Sequence, residues 1–291
     1  MVRRRTSTIE RQTSKMTAPI ITLTTDFGTD DIFVGVMKGV ILGINPQVRI
    51  VDLTHAIPPQ SIELGALLLR LAAPYFLAGT IHVAVVDPGV GTARPAICIE
   101  TGAGFLVGPD NGLLAPAAEH AGVKRVIACT DSSYWLPPGG PTFHGRDVFA
   151  PVAAHLSRGV PPARLGAVQP SMTPLPLPPV EREHPATGLA LRGRVIHVDG
   201  FGNLFTNITA SDIEDFPHQR LSVSIANTVL SGLTASYAAV PEGGLLVLLN
   251  SWGLLEIAQR NGSAHQRIGA DRGETVTVWA TPENPRRTTS S

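Results

Sequence analysis

From Ile20 onward the chain alternates short β-branched runs with helical segments of about ten residues, and this alternation constrains the fold more than any other feature. Strands are expected at Ile20–Thr25, Val48–Leu53 and Thr80–Val86, with helices at Asp31–Ile44 and Ile62–Leu71 between them. Parallel neighbours need crossover connections of this length, so the pattern predicts an α/β domain with a mostly parallel sheet and flanking helices. The pattern stops at a proline-dense stretch from Pro161 to Pro185, where fixed φ angles and missing amide donors forbid helix interiors and central strands. Beyond it, Leu189–Val198, Arg220–Ile225, Leu245–Leu249 and Thr275–Trp279 read as short strands separated by turn residues, which predicts a smaller C-terminal antiparallel β-barrel domain. The expected organisation is a disordered tail over 1–18, an α/β domain over 19–168, a Pro-rich linker over 169–188, a β-barrel domain over 189–281 and a second tail over 282–291. The leading tail is rich in Arg, Ser and Thr without an apolar face, and Met16 is an alternative start.

A hydrophobic fraction of 43% over 291 residues suffices for a substantial core. Lys plus Arg equals Asp plus Glu at 23 each, so no global field draws the chain to nucleic acid or to an anionic membrane. The longest apolar run, Leu64–Ala73, is broken by Gly65 and Arg70 and is too short to span a bilayer. A cytoplasmic protein is expected. Cys98 and Cys129 fit no metal spacing and read as reduced core thiols.

Polar clusters fall where strands end, the usual place for ligands in open α/β sheets. TTDFGTDD follows the first strand and supplies Asp26, with Asp30 or Asp31 expected to cap the next helix. VVDPGVGTAR ends an apolar strand at Asp87 and reaches Arg94 across a loop whose glycines allow a sharp turn and close approach. TFHGRDVFAPVAAHL places His144 at the mouth of a helix expected over Asp147–Leu156, where the helix dipole is expected to lower the imidazole pKa. Arg146 and Asp147 are expected to be structural. HVDGFGNLFTNI gathers Asp199, Phe201, Asn203 and Asn207 around a glycine turn, a set that suits an amino acid or a nucleobase, and NSWG adds Ser251 and Trp252. Each cluster also admits a structural reading as a turn, a cap, an ion pair or core.

Taken in order, TTDFGTDD, VVDPGVGTAR, PDNG, TFHGRDVFAP, DGFGNLFTNI and NSWGLLEIA resemble the SAM (S-adenosyl-L-methionine) hydroxide adenosyltransferases, relatives of SAM-dependent halogenases, over roughly Ile20–Val278. The resemblance implies hydrolysis of SAM to adenosine and L-methionine by a homotrimer with the substrate between subunits. It places the family's catalytic triad on Asp87, Arg94 and His144. It puts the ribose contact on Asp26, the methionine ammonium on Asp199, the adenine edge on Asn203, an aromatic neighbour on Phe201 and a methionine-end contact on Ser251. Relatives often carry a GTERR-like form where this chain has Ala93 and Pro95 around Arg94. The halogenases have tyrosine at the position of His144, and the fluorinase has serine at that of Gly145 and an insertion where this chain has the tight ETGAGF turn, so hydrolysis is favoured. Displacement of a neutral thioether calls for no general acid, and neither a metal nor a redox cofactor is expected. Two other readings stay open: a metal-dependent hydrolase built on Asp26, Asp30, Asp31, His55 and Asp87, and a SAM or adenosine sensor without turnover.

Overall fold

The computed structural model describes residues 18–137, 140–176, 178–183, 189–217 and 220–280. The expected tails therefore fall outside the described residues, apart from Ala18. The chain divides into two compact units between Leu175 and Pro176.

The first unit contains β1 (Ile20–Thr25), α1 (Phe33–Ile44), β2 (Arg49–Thr54), α2 (Ile62–Ala72), β3 (Thr80–Val85), β4 (Ala96–Thr101) and β5 (Gly104–Pro109). It continues with α3 (Ala115–Ala121), β6 (Val123–Ala128), α4 (Ala150–Ser157) and the two-residue β7 (Val168–Gln169). Its seven-stranded sheet has the order β2-β1-β3-β5-β4-β6-β7. The β1–β2, β1–β3 and β3–β5 pairs are parallel, whereas β4–β5, β4–β6 and β6–β7 are antiparallel. The sheet is thus mixed rather than mostly parallel, because the tight turn at Gly102–Ala103 reverses the chain between β4 and β5. Side-chain alternation explains the layers. Ile21 and Leu23 of β1 with Val83 and Val85 of β3 face Met37 and Ile41 of α1 and Val152 of α4. Ala84 of β3, Ile97 and Ile99 of β4 and Leu106 of β5 face Ala66 and Leu69 of α2 and Ala117 of α3. Burial on both faces extends to polar residues: His82 at the centre of β3 meets Thr22 Oγ1 through Nδ1 at 2.8 Å, and burial takes its pKa down to about 4. Cys98 and Cys129 are free, buried thiols, and burial pushes Cys129 up to about 12.

Neither Asp30 nor Asp31 caps α1. The helix starts later than expected, its N-cap is Ile32 in a helical conformation (φ −75°, ψ −11°), and no side chain bonds the free amides. A capping side chain needs an extended N-cap backbone, and both aspartates stay exposed on the bend before it. The proline-dense stretch is also less uniform than expected. It holds a 3₁₀ turn at Pro162–Arg164, the edge strand β7 and, in the second unit, β8 (Glu181–Glu183), which pairs only with β9.

The second unit comprises β8, β9 (Ala190–Val198), β10 (Leu204–Thr209), β11 (Leu221–Ile225), β12 (Thr228–Ser231), β13 (Leu245–Leu249), β14 (Leu254–Gln259), α5 (Ala264–Ile268) and β15 (Thr275–Ala280). Its antiparallel sheet runs β12-β11-β15-β9-β10-β14-β13 and curls into a nearly closed barrel around Leu191, Val195, Leu204, Val223, Leu255, Ile257 and Val276. Strands β10, β12 and β14 were not expected from the sequence, since their residues fall within the polar motifs and turn-rich stretches.

Candidate active site

In the first unit Asp26 follows β1, Asp87 follows β3, Arg94 precedes β4 and His144 precedes α4. Asp26 follows β1 directly and is fixed from the chain after β2. Gln60 N–H donates to its Oδ2 at 2.8 Å, and Gly28 N–H donates to the His55 carbonyl at 2.8 Å. Gln60 adopts φ 64°, a left-handed conformation unusual for a residue with a side chain. His55 itself turns away from a metal role. Its Nδ1 lies 2.8 Å from Thr25 Oγ1, its Nε2 lies 3.1 Å from Asp52, and Lys38 donates to the same carboxylate at 2.6 Å. Among the described residues no group of three or more His, Cys, Asp or Glu side chains is arranged to hold a metal ion, so the five candidate ligands do not converge.

Asp87, Arg94 and His144 form one connected network. Arg94 Nε donates to Asp87 Oδ1 at 2.8 Å and Nη2 donates to Asp87 Oδ2, a bidentate pair with side chains only 10% and 5% exposed. Nη2 also lies 3.0 Å from His144 Nδ1, and Nη1 donates to the Pro95 carbonyl at 3.0 Å. The Phe149 ring lies under the guanidinium, 5.4 Å from its carbon. The loop that returns Arg94 to Asp87 depends on Gly91, whose φ is +78° and whose missing Cβ leaves room for the Pro141 carbonyl, 2.8 Å from where that atom would sit. This contact brings the chain before His144 over the loop. Phe27, Phe33 and Phe143 pack edge-on or tilted against one another beside it, with centroids 5.3–5.8 Å apart.

His144 opens a π-helical turn, Gly145–Phe149, that leads into α4. Its pKa is lowered as expected, but for a different reason: burial is the largest cause and the Arg94 charge the next, opposed by Asp87 and Asp147. Arg146 and Asp147 pair with each other, Nε to Oδ1 at 2.5 Å, and Asp147 also accepts the Gly140 amide, which makes both structural.

In the second unit Asp199 is the hub of the glycine turn. Its Oδ1 accepts from Phe201 N–H and Asn203 N–H, and its Oδ2 accepts from Asn203 Nδ2, each at 2.9 Å. Asn203 is buried, whereas Phe201 is 81% exposed. Asn207 turns elsewhere, donating to the Pro178 carbonyl and accepting from Arg194 N–H, so it belongs to the scaffold. Ser251 is exposed in the tight β13–β14 turn, where Asn250 Oδ1 accepts from Trp252 and Leu254 amides. Trp252 is not core: it is 45% exposed and packs on Phe205, centroids 5.7 Å apart. Sequence reading missed Glu256, which is 1% exposed and accepts the Tyr237 hydroxyl at 2.6 Å; burial, first, raises its pKa. An acid inside the apolar run LLEIA was the available signal.

An α/β unit with an Asp–Arg–His network at its strand ends, followed by a small antiparallel barrel with a pinned Asp–Asn pair, defines a class of two-domain proteins with known members. The description "SAM hydroxide adenosyltransferase N-terminal domain" matches residues 21–166 and the corresponding C-terminal domain matches residues 193–277. The chain belongs to the SAM hydroxide adenosyltransferase family. It is 41% identical over 265 residues to the (R)-S-adenosyl-L-methionine hydrolase of Salinispora arenicola, covering 90% of this chain and 98% of that protein. It is 28% identical to a fluorinase of an Actinoplanes species, covering 89% and 97% respectively. A crystal structure of an uncharacterized conserved protein from Thermotoga maritima superposes with a TM-score of 0.82 at 34% identity, covering 89% of this chain and all of that one.

Proposed function

We propose that the chain hydrolyses SAM to adenosine and L-methionine. The observation that carries this reading is the continuous Asp87–Arg94–His144 network in a chain so similar, over nearly its whole length, to a SAM hydrolase. Water or hydroxide attacks the ribose C5′; the new C–O bond forms as the C–S pair leaves on sulfur, so the sulfonium departs as the neutral thioether of methionine, and where water is the nucleophile its surplus proton passes to solvent. The leaving group needs no acid, and the reaction calls for neither a metal nor a redox cofactor. Only the oxygen nucleophile needs help.

A guanidinium has donors and no acceptor, so His144 Nδ1 must accept from Arg94 Nη2. The neutral imidazole then carries its proton on Nε2, which makes that nitrogen a donor to the nucleophile's oxygen. This supports orientation and charge stabilisation by His144 and Arg94 over proton abstraction by His144. Asp87 fixes the plane of the guanidinium. In this reading Asp26 holds the ribose hydroxyls and Asp199 the methionine ammonium. Asn203, whose Nδ2 is committed to Asp199, offers its carbonyl oxygen to the adenine amino group. Phe201 flanks the substrate and Ser251 contacts the methionine end.

The active form is a homotrimer with its substrate between subunits; the exposure of Phe201 (81%) and Ile32 (76%) in a single chain supports cover by another copy. The two free thiols suit the reducing cytoplasm, and no described helix is long and apolar enough to cross a membrane. Incubation with SAM in ¹⁸O-labelled water, with and without chloride or fluoride, tests the function by mass spectrometry. Labelled adenosine plus methionine is expected; a 5′-haloadenosine, or bound SAM without product, refutes the reading.

A further inference from the structure

The PDNG motif at residues 109–112 has no role in the chemistry described above, yet it bonds the chain beside both halves of the catalytic pair, at Val86 and Pro95. The sheet order puts β5 between β3, which delivers Asp87, and β4, which begins just after Arg94. Asp110 and Asn111 follow β5 immediately and reach to both sides. Asn111 Nδ2 donates to the carbonyl of Val86, the residue before Asp87, at 2.9 Å. Asp110 N–H donates at 3.0 Å to the Pro95 carbonyl, the same oxygen that accepts Arg94 Nη1. The motif is anchored in turn. Asn111 Oδ1 accepts Leu113 N–H at 3.1 Å, Asp110 Oδ1 accepts Thr173 N–H at 2.7 Å, and Leu113 and Leu114 are fully buried at the start of α3.

We propose that Asn111 is a positioning residue for the hydrolytic step, its side-chain amide holding the exit of β3 so that Asp87 meets the guanidinium of Arg94 in the geometry that also reaches His144. This deepens the hydrolase reading and rests on it. Asp87 and Arg94 flank strands that are not neighbours, so β5, together with the loop that joins them, sets their separation. A bidentate pair tolerates little lateral shift, and a misplacement of about 1 Å at such a site costs on the order of a hundredfold in rate.

Two variants of the full chain test this. Asn111→Asp keeps the acceptor for Leu113 N–H but presents an oxygen to the Val86 carbonyl; Asn111→Ser keeps a short local acceptor and loses the reach to Val86. Adenosine release gives kcat, KM for SAM and the pH–rate profile, and thermal melting gives stability. The expected result is a kcat about tenfold lower or more, KM within about twofold of wild type, and an acid limb of kcat moved upward as Arg94 drifts from His144. Folded variants that keep the wild-type kcat and acid limb, even with a lower Tm, overturn the proposal by reducing Asn111 to an ordinary turn residue. If Asn111→Asp does not fold, Asn111→Ser decides by the same criteria. A wild-type protein that releases no adenosine from SAM overturns the hydrolase reading itself, a failure separate from that of the variants.

Discussion

Replacing Arg94 by lysine keeps a positive charge beside Asp87 and removes the fork. Arg94 serves Asp87, Pro95 and His144 from three different nitrogens, and one ammonium cannot span them. The lysine is expected to stay with the buried Asp87 carboxylate, so the fold loses the guanidinium's two charge-assisted contacts to Pro95 and His144, up to roughly 1.5–3 kcal/mol each. Arg94→Ala is harsher, because an unpaired buried carboxylate costs about 3–5 kcal/mol. Activity separates from stability here. If Arg94 stabilises the attacking oxygen through its own charge and through His144, losing one aligned donor removes about 2.7–4 kcal/mol from the transition state, a fall of roughly 10²–10³ in kcat. KM should barely move, because the lost interaction belongs to the transition state. Steady-state adenosine release at saturating SAM measures this directly. An Arg94→Lys enzyme within about threefold of wild-type kcat would refute the reasoning.

Four further outcomes are expected. His144 is held below its ordinary pKa, by burial first, and must be neutral to accept from Arg94, so kcat should be flat through neutrality and fall only below pH 6.5; an acid limb at or above that value contradicts the network. His82 titrates at about 4 in the folded chain against 6.5 when unfolded, so its share of stability is complete above pH 6.5 and lost toward pH 4. The advantage of wild type over His82→Asn in urea melts should therefore shrink by about 3 kcal/mol across that window, and a constant gap would count against it. Asp199→Asn should raise KM for SAM about tenfold or more, the worth of one charge-assisted bond, with kcat little changed; the reverse split would remove Asp199 from ammonium binding. Treatment with EDTA should leave the rate intact, and loss of activity restored by a divalent ion would reopen the metal reading.

The sequence showed the first unit through β3 and the helix after His144, because amphipathic crossovers and buried strands leave distinct periods, whereas α3 and the strands from β4 to β7 were not expected; β1 and β13 have their expected bounds. Strand direction was less visible. The runs AICIE and FLVG are apolar throughout, and such runs carry no sign of whether a neighbour is parallel. Asp87 and Arg94 could be paired from their own loop, but the addition of His144, 50 residues beyond Arg94, came from family resemblance. The cause of the lowered His144 pKa was misread for a similar reason. A helix mouth is visible in sequence, whereas the guanidinium beside it is a tertiary neighbour. Asn111 acts through partners whose positions depend on sheet order, which no local pattern marks, whereas the mark of Glu256 is its place inside an apolar run.

The turn between His144 and α4 carries a further consequence. Its hydrogen bonds close over five residues, as in the Ala150 N–H to Gly145 carbonyl bond, so it holds one residue more than an α-helical turn would. Each residue of an α-helix advances the direction of its side chain by about 100°. Deleting one residue between Gly145 and Phe149 would let the turn relax to regular helix and swing the imidazole off Arg94, although every named functional side chain remained in the chain. The aim of His144 is thus written in a count of residues, and substitutions that preserve length can leave it intact where a single deletion cannot.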